Sequence, residues 1–176
     1  MESPSQTRDP ARLRALLARI SALFELPEER LRAPAPTVSG WSAAEHLFHV
    51  TLANDMSLKN VRNLADERGR LRRELEELDP RAVDILRRGR LPRGTEAPRF
   101  VRPPAKPDLA IARDIHGDVL KAAEELEGRA PELAAAPLGI PHQALGVLTA
   151  AQWLRFARLH SAHHLGIVRS VLEATG

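Results

Sequence analysis

Residues 149–173 read TAAQWLRFARLHSAHHLGIVRSVLE. Thr149 and Gln152 form a capping-box pattern, in which the hydroxyl caps an early backbone N–H and the amide reaches back to the first residue. Leu148, just before the cap, is placed to staple onto Trp153. At about 100° per residue, Trp153, Phe156, Ile167 and Val171 fall within about 40° of His160, while Arg155, Arg158 and Arg169 lie opposite. His164 falls about 40° from His160, inside the apolar stripe, and His163 about 60° to the other side, at its edge. The pattern predicts a long amphipathic helix to about Glu173, with His160 and His164 turned inward and His163 peripheral.

A second stretch, WSAAEHLFHV at 41–50, has the same construction. Ser42 and Glu45 make another capping box. Leu52, Ala53 and Met56 flank His49 within about 60°, which makes it the inward histidine of this helix; His46 sits about 60° off, near the helix start. Leu47, Val50, Leu58 and Val61 form a second apolar patch on the far side. Such a patch is expected to be covered by the middle of the chain or by a second subunit, and on that ground a homodimer is expected.

Outward from these two helices the rest follows. Asp9 and Pro10 open a first helix with Leu13, Leu16, Leu17, Ile20, Leu23 and Phe24 at helical spacing, closed by Pro27. LRAPAPTVSG at 31–40 reads as a loop. The second helix is expected to run to about Arg68, near Gly69. Leu71, Leu75 and Leu78 look helical but thinly apolar, and Asp79-Pro80 opens a short helix stopped by Gly89. RLPRGTEAPRFVRPPAKP at 90–107 reads as an irregular connection. The third main helix starts at Asp108 and ends near Glu127, with Gly128 as the stop. Pro131, Pro137 and Pro141 break the next segment. The prediction is an all-α, four-helix bundle in up-down-down-up order, one domain over residues 1–176, with a partly helical insertion between helices two and three and no convincing strand. The short link between helices one and two favours packing as antiparallel neighbours.

Composition narrows the chemistry. There is no cysteine, so disulfides, thiolate ligands and a cysteine nucleophile are excluded. The net charge is only +3, from 26 basic and 23 acidic residues, and the charges are interspersed; with two Trp, four Phe and no Tyr, nucleic acid is a poor partner. No apolar run is long enough for a membrane span, and the polar MESPSQTRDP lacks a signal core, so a cytoplasmic protein is expected.

Three imidazoles from two helices suit a divalent metal and leave positions open for water or substrate. Buried without partners they would be costly, and a metal removes that cost. Zinc is the first choice, with nickel, iron or manganese as alternatives. The remaining candidates are weaker. Glu45 lies one turn before His49, but the capping box explains it. Asp55 points about 120° away. Asn60 and Asn63 share the His49 face further along. His163 is a candidate proton carrier. Trp41 and Trp153 serve the core and could wall a cavity. His116 and His142 read as structural or surface residues, and Arg99, Arg102 and Arg113 need no special role.

Trp41-Ser42 with Glu45 and His49, together with the H-x-x-H-H cluster at 160–164, resembles the DinB/YfiT-like (DinB) superfamily of metal-dependent four-helix-bundle enzymes. The likeness covers nearly the whole chain in helix order. It implies a divalent metal held by one His from helix two and two from helix four, here His49, His160 and His164. It also implies a small-molecule substrate and, as in some relatives, a low-molecular-weight thiol as co-substrate. The chain departs from the family's HHxxQ pattern: residues 166–169 offer no Gln. Two functions follow as expectations. One is a metalloenzyme for thiol transfer or metal-assisted hydrolysis; the other is a non-catalytic, metal-stabilised stress or interaction module. A helical bundle whose histidines bind nothing is the third reading.

Overall fold

The computed structural model describes residues 9–92 and 94–176. Residues 1–8 of the polar N-terminal stretch, and Arg93 in the Pro-rich connection, lie outside the described residues. The elements are α1 (Asp9–Phe24), α2 (Glu28–Arg32), α3 (Ala43–Ala65), α4 (Pro80–Arg88), a 3₁₀ turn (Arg99–Val101), α5 (Leu109–Glu127), α6 (Ala130–Ala135), β1 (Ile140–His142), β2 (Gly146–Leu148) and α7 (Ala150–Ala174).

Four long helices, α1, α3, α5 and α7, make the bundle. Arg14 Nε lies 3.1 Å from Glu127 Oε2, and Arg113 Nη2 donates to Phe24 O at 2.7 Å, so α5 runs antiparallel to α1. Asp9 at the start of α1 pairs with Arg155 and Arg158, while Leu23 at its end shares a groove with Leu172, so α7 runs parallel to α1. Arg62 Nη2 pairs with Glu125 Oε2 at 2.6 Å late in both helices, making α3 and α5 parallel. The order is therefore up-down-down-up. Both α1 and α3 pack on α5 and α7, which sets α1 and α3 across the diagonal. The short link does not make them neighbours, because the loop and α2 carry the chain over the end of the bundle.

The core is aliphatic, with Leu13, Leu17, Ile20, Leu47, Leu58, Leu126, Leu148 and Val171 essentially sealed. Both capping boxes form. Ser42 Oγ accepts from Glu45 N and Glu45 Oε2 accepts from Ser42 N; Thr149 and Gln152 repeat the exchange. Leu47, Val50, Leu58 and Val61 are all buried within this one chain, since α3 is flanked by α5 and α7 and touched by α2 and α6. The face on which the dimer expectation rested is thus already covered.

Four local readings are corrected. Residues 28–32, which overlap the expected loop, form a short helix that buries Leu31. Helix α3 stops at Ala65 rather than near Arg68: Glu67 takes the left-handed conformation (φ 51°) and Arg68 N donates back to Asn63 O at 2.9 Å. That is a C-terminal cap one turn early, held by Asp66 paired with Arg129 and Arg68. Residues 71–78 are not helical; Leu71 and Leu75 are exposed, and Arg73 instead exchanges backbone hydrogen bonds with Gly139. The Pro-broken stretch before α7 forms an antiparallel hairpin, with Ile140 opposite Leu148 and His142 opposite Gly146. Gly146 (φ 81°) supplies the left-handed residue this turn needs. The hairpin anchors the start of α7, where Trp153 Nε1 donates to Ile140 O at 3.0 Å.

Candidate metal centre

Helices α3 and α7 pack antiparallel, and the histidines from the early turns of α3 meet those of α7. His49 Nε2 is 3.2 Å from His160 Nε2, which is 3.1 Å from His164 Nε2. One nitrogen from each of the three rings lies within 4.8 Å of the others. His49 and His164 are buried and His160 is half-buried. The three residues singled out from the helical wheel are the three the fold brings together.

The spacing fits a shared cation. Zinc–imidazole bonds of about 2.0–2.1 Å at tetrahedral angles put ligand nitrogens about 3.3 Å apart. The protonation state fits as well. Burial lowers the pKa of His49, partly offset by its hydrogen bond to Val101 O, and electrostatic repulsion from nearby His163 lowers it further. Burial and then the neighbouring histidines hold His160 and His164 far below the ordinary imidazole value. All three are neutral at pH 7, the form that binds metal.

Each ring is also aimed. His49 Nδ1 donates to Val101 O at 2.8 Å, which fixes its tautomer and leaves Nε2 as a lone pair pointing at the other two rings. His164 Nδ1 lies 3.0 Å from His46 Nδ1. Among the described residues His160 Nδ1 has no hydrogen-bond partner; Phe156 stacks on the ring at 5.3 Å instead. Trp41 covers His46 and His49 with ring centroids at 5.3 and 5.1 Å.

A family model of the DinB superfamily matches residues 7–168. The chain belongs to the DinB superfamily. No curated protein and no solved structure matches it.

In this DinB chain the other expected residues fall as follows. Glu45 Oε2 is engaged by Ser42 N and Ser42 Oγ, both at 2.8 Å, as a capping box requires. It also lines a cleft of about 460 Å³ beside Trp41, together with Arg32, Ser39, Ser42 and Lys106. His163 is half-buried, its ring 5.2 Å from and nearly perpendicular to that of His164, and it is not among the three converging rings. Asp55 pairs with Lys59 on the outside. His116 is buried between α1 and α5, with Nε2 3.1 Å from Leu17 O. His142 is buried against Trp153 and Phe156, and burial pushes its pKa down to about 4.

Sequence reasoning missed two groups. Val101 O reaches His49 from the 3₁₀ turn in a segment read as irregular, where no side-chain pattern could announce it. His46 lies about 60° from His49 on the helical wheel, yet a His three residues before His49, at the first turn, is a visible signal.

Proposed function

We propose that this protein is a metalloenzyme that uses His49, His160 and His164 to hold a divalent ion, zinc first, and that it transfers an external low-molecular-weight thiol to a small electrophile. The observation that carries the reading is the convergence of three neutral imidazoles, two buried and one half-buried, with His160 Nε2 3.2 Å from His49 Nε2 and 3.1 Å from His164 Nε2. A divalent ion held there supplies the positive charge that acidifies a thiol or water.

The chain's own groups divide the remaining work. The histidine triad binds the ion through neutral nitrogens and so preserves its charge for the open position. Trp41 packs on His49 and also lines the cleft that carries Lys106, a cation suited to the carboxylate of a thiol substrate, while Arg32 in that cleft is held by Glu28 and Pro107 O. His163, placed against His164 and close enough to lower the pKa of all three triad members, is the group positioned to carry away the thiol proton. Among the described residues the group that could hold the ion is made of histidines alone, so His163 is the proton acceptor at hand for a bound thiol or a bound water.

The test is metal analysis of purified protein, followed by turnover of a reactive electrophile with a panel of thiols, zinc-loaded and chelated. Zinc-dependent consumption of one thiol supports the reading. Stoichiometric zinc without turnover of any thiol indicates the non-catalytic module, and absence of bound metal with no effect of chelation removes the metal centre itself.

A further inference from the structure

Behind the triad the hydrogen-bonding groups form a line. His164 Nδ1 is 3.0 Å from His46 Nδ1, His46 Nε2 is 2.8 Å from Ser39 Oγ, and Ser39 Oγ accepts from Trp41 N at 3.0 Å. His46 is 4% exposed, so its link to His164 is sealed from bulk water, while Ser39 at the outer end is half-buried and lines the cleft beside Trp41. A single proton must sit between the two Nδ1 atoms, since two N–H groups would repel and two lone pairs would leave a buried pair unsatisfied.

We infer that His46 is a positioning residue of the metal centre: it accepts the Nδ1–H of His164 and passes its own Nε2–H to Ser39, so that His164 presents the Nε2 lone pair to the ion. The inference rests on the metal-centre reading above. The proton count has one solution once His164 ligates through Nε2. A neutral ligating imidazole carries its proton on the other nitrogen, and the group 3.0 Å from that nitrogen is His46 Nδ1. His46 must then be protonated at Nε2, which faces Ser39 Oγ, an oxygen able to accept from both His46 and Trp41 N. In the reverse arrangement His164 would point Nε2–H at His160 and at the place of the ion.

The two α3 histidines thus have different tasks. His49 ligates and is itself aimed by a backbone carbonyl; His46 aims a ligand on the other helix. Removing such an orienting partner costs metal affinity about 10–100-fold.

The experiment uses the full chain and zinc. Chelator competition gives the zinc affinity of wild type, His46→Phe, His46→Gln and Ser39→Ala. The melting temperature of each metal-free protein reports whether it folds. His46→Phe keeps a ring but no acceptor and is expected to weaken zinc binding about 10–100-fold. His46→Gln, whose carbonyl accepts, should recover most of that loss, and Ser39→Ala should lose less than His46→Phe. Nitrogen-15 NMR of wild type adds a readout that needs no variant. A scalar coupling should connect His46 Nδ1 and His164 Nδ1 with and without zinc, and the zinc-loaded protein should carry the shared proton on His164. Wild-type zinc affinity in a folded His46→Phe, absence of the coupling, or ligation through His164 Nδ1 overturns the inference. If wild type binds no zinc, the metal reading fails, and the coupling in the metal-free protein still decides whether His46 holds His164.

Discussion

Zinc should act as a clamp between α3 and α7, and the size of its effect on melting follows from the fold. One ligand residue comes from the first half of the bundle and two from the last helix, so unfolding must break the site. A ligand that binds only the native state stabilises it by about 2.7 kcal/mol at one hundred times its dissociation constant. Unfolding entropy near the melting temperature is about 2.1 cal/mol/K per residue, which for 176 residues converts that energy to a rise of about 7 °C. The assay is scanning calorimetry of chelator-treated protein across a zinc titration, with His160→Ala beside it. His160 is the hub of the triad, its Nε2 within 3.2 Å of both partners, so the alanine variant should lose nearly all of the shift whatever its own baseline. A wild-type melting temperature indifferent to zinc, nickel and chelator would refute the clamp. An equal shift in His160→Ala would refute the ligand assignment.

Three further outcomes are expected. His142 titrates at about 4 in the native protein against about 6.5 when unfolded, so the unfolded state takes up more protons as pH falls. The stability it contributes is present above pH 6.5 and lost down to about pH 4, some 3 kcal/mol in all; His142→Phe should flatten that part of a urea-unfolding pH series. Asp9 is 1% exposed and lies 3.1 Å from Arg155 Nη1 and 2.5 Å from Arg158 Nε, so Asp9→Asn removes the buried counter-charge of two mostly buried guanidinium groups and should cost about 3–5 kcal/mol in chemical denaturation. A Cβ on Gly139 would meet Val147 Cγ1 at 2.6 Å and Leu148 O at 2.8 Å, so Gly139→Ala should spread the hairpin and lower stability by about 1–3 kcal/mol, with faster amide exchange at residues 140–148.

The sequence alone determined what local chemistry controls. Capping boxes at Ser42 and Thr149, the stop at Gly89 and the apolar stripes are written in residues at most a few turns apart, and they form because short-range hydrogen bonds and helical periodicity do not depend on the rest of the chain. The histidine cluster was legible for the same reason: a four-residue spacing and one inward angle suffice to name His160, His164 and His49 as the rings that meet. Tertiary structure decided the rest. Which helices are diagonal, that Arg73 pairs with Gly139, and that Val101 O and His46 stand behind two of the clustered histidines depend on contacts between residues about fifty to more than a hundred positions apart or on the balance of whole-helix packing. A backbone carbonyl leaves no mark in the side-chain pattern, and a ring at the edge of a helical stripe becomes central only when another helix crosses there.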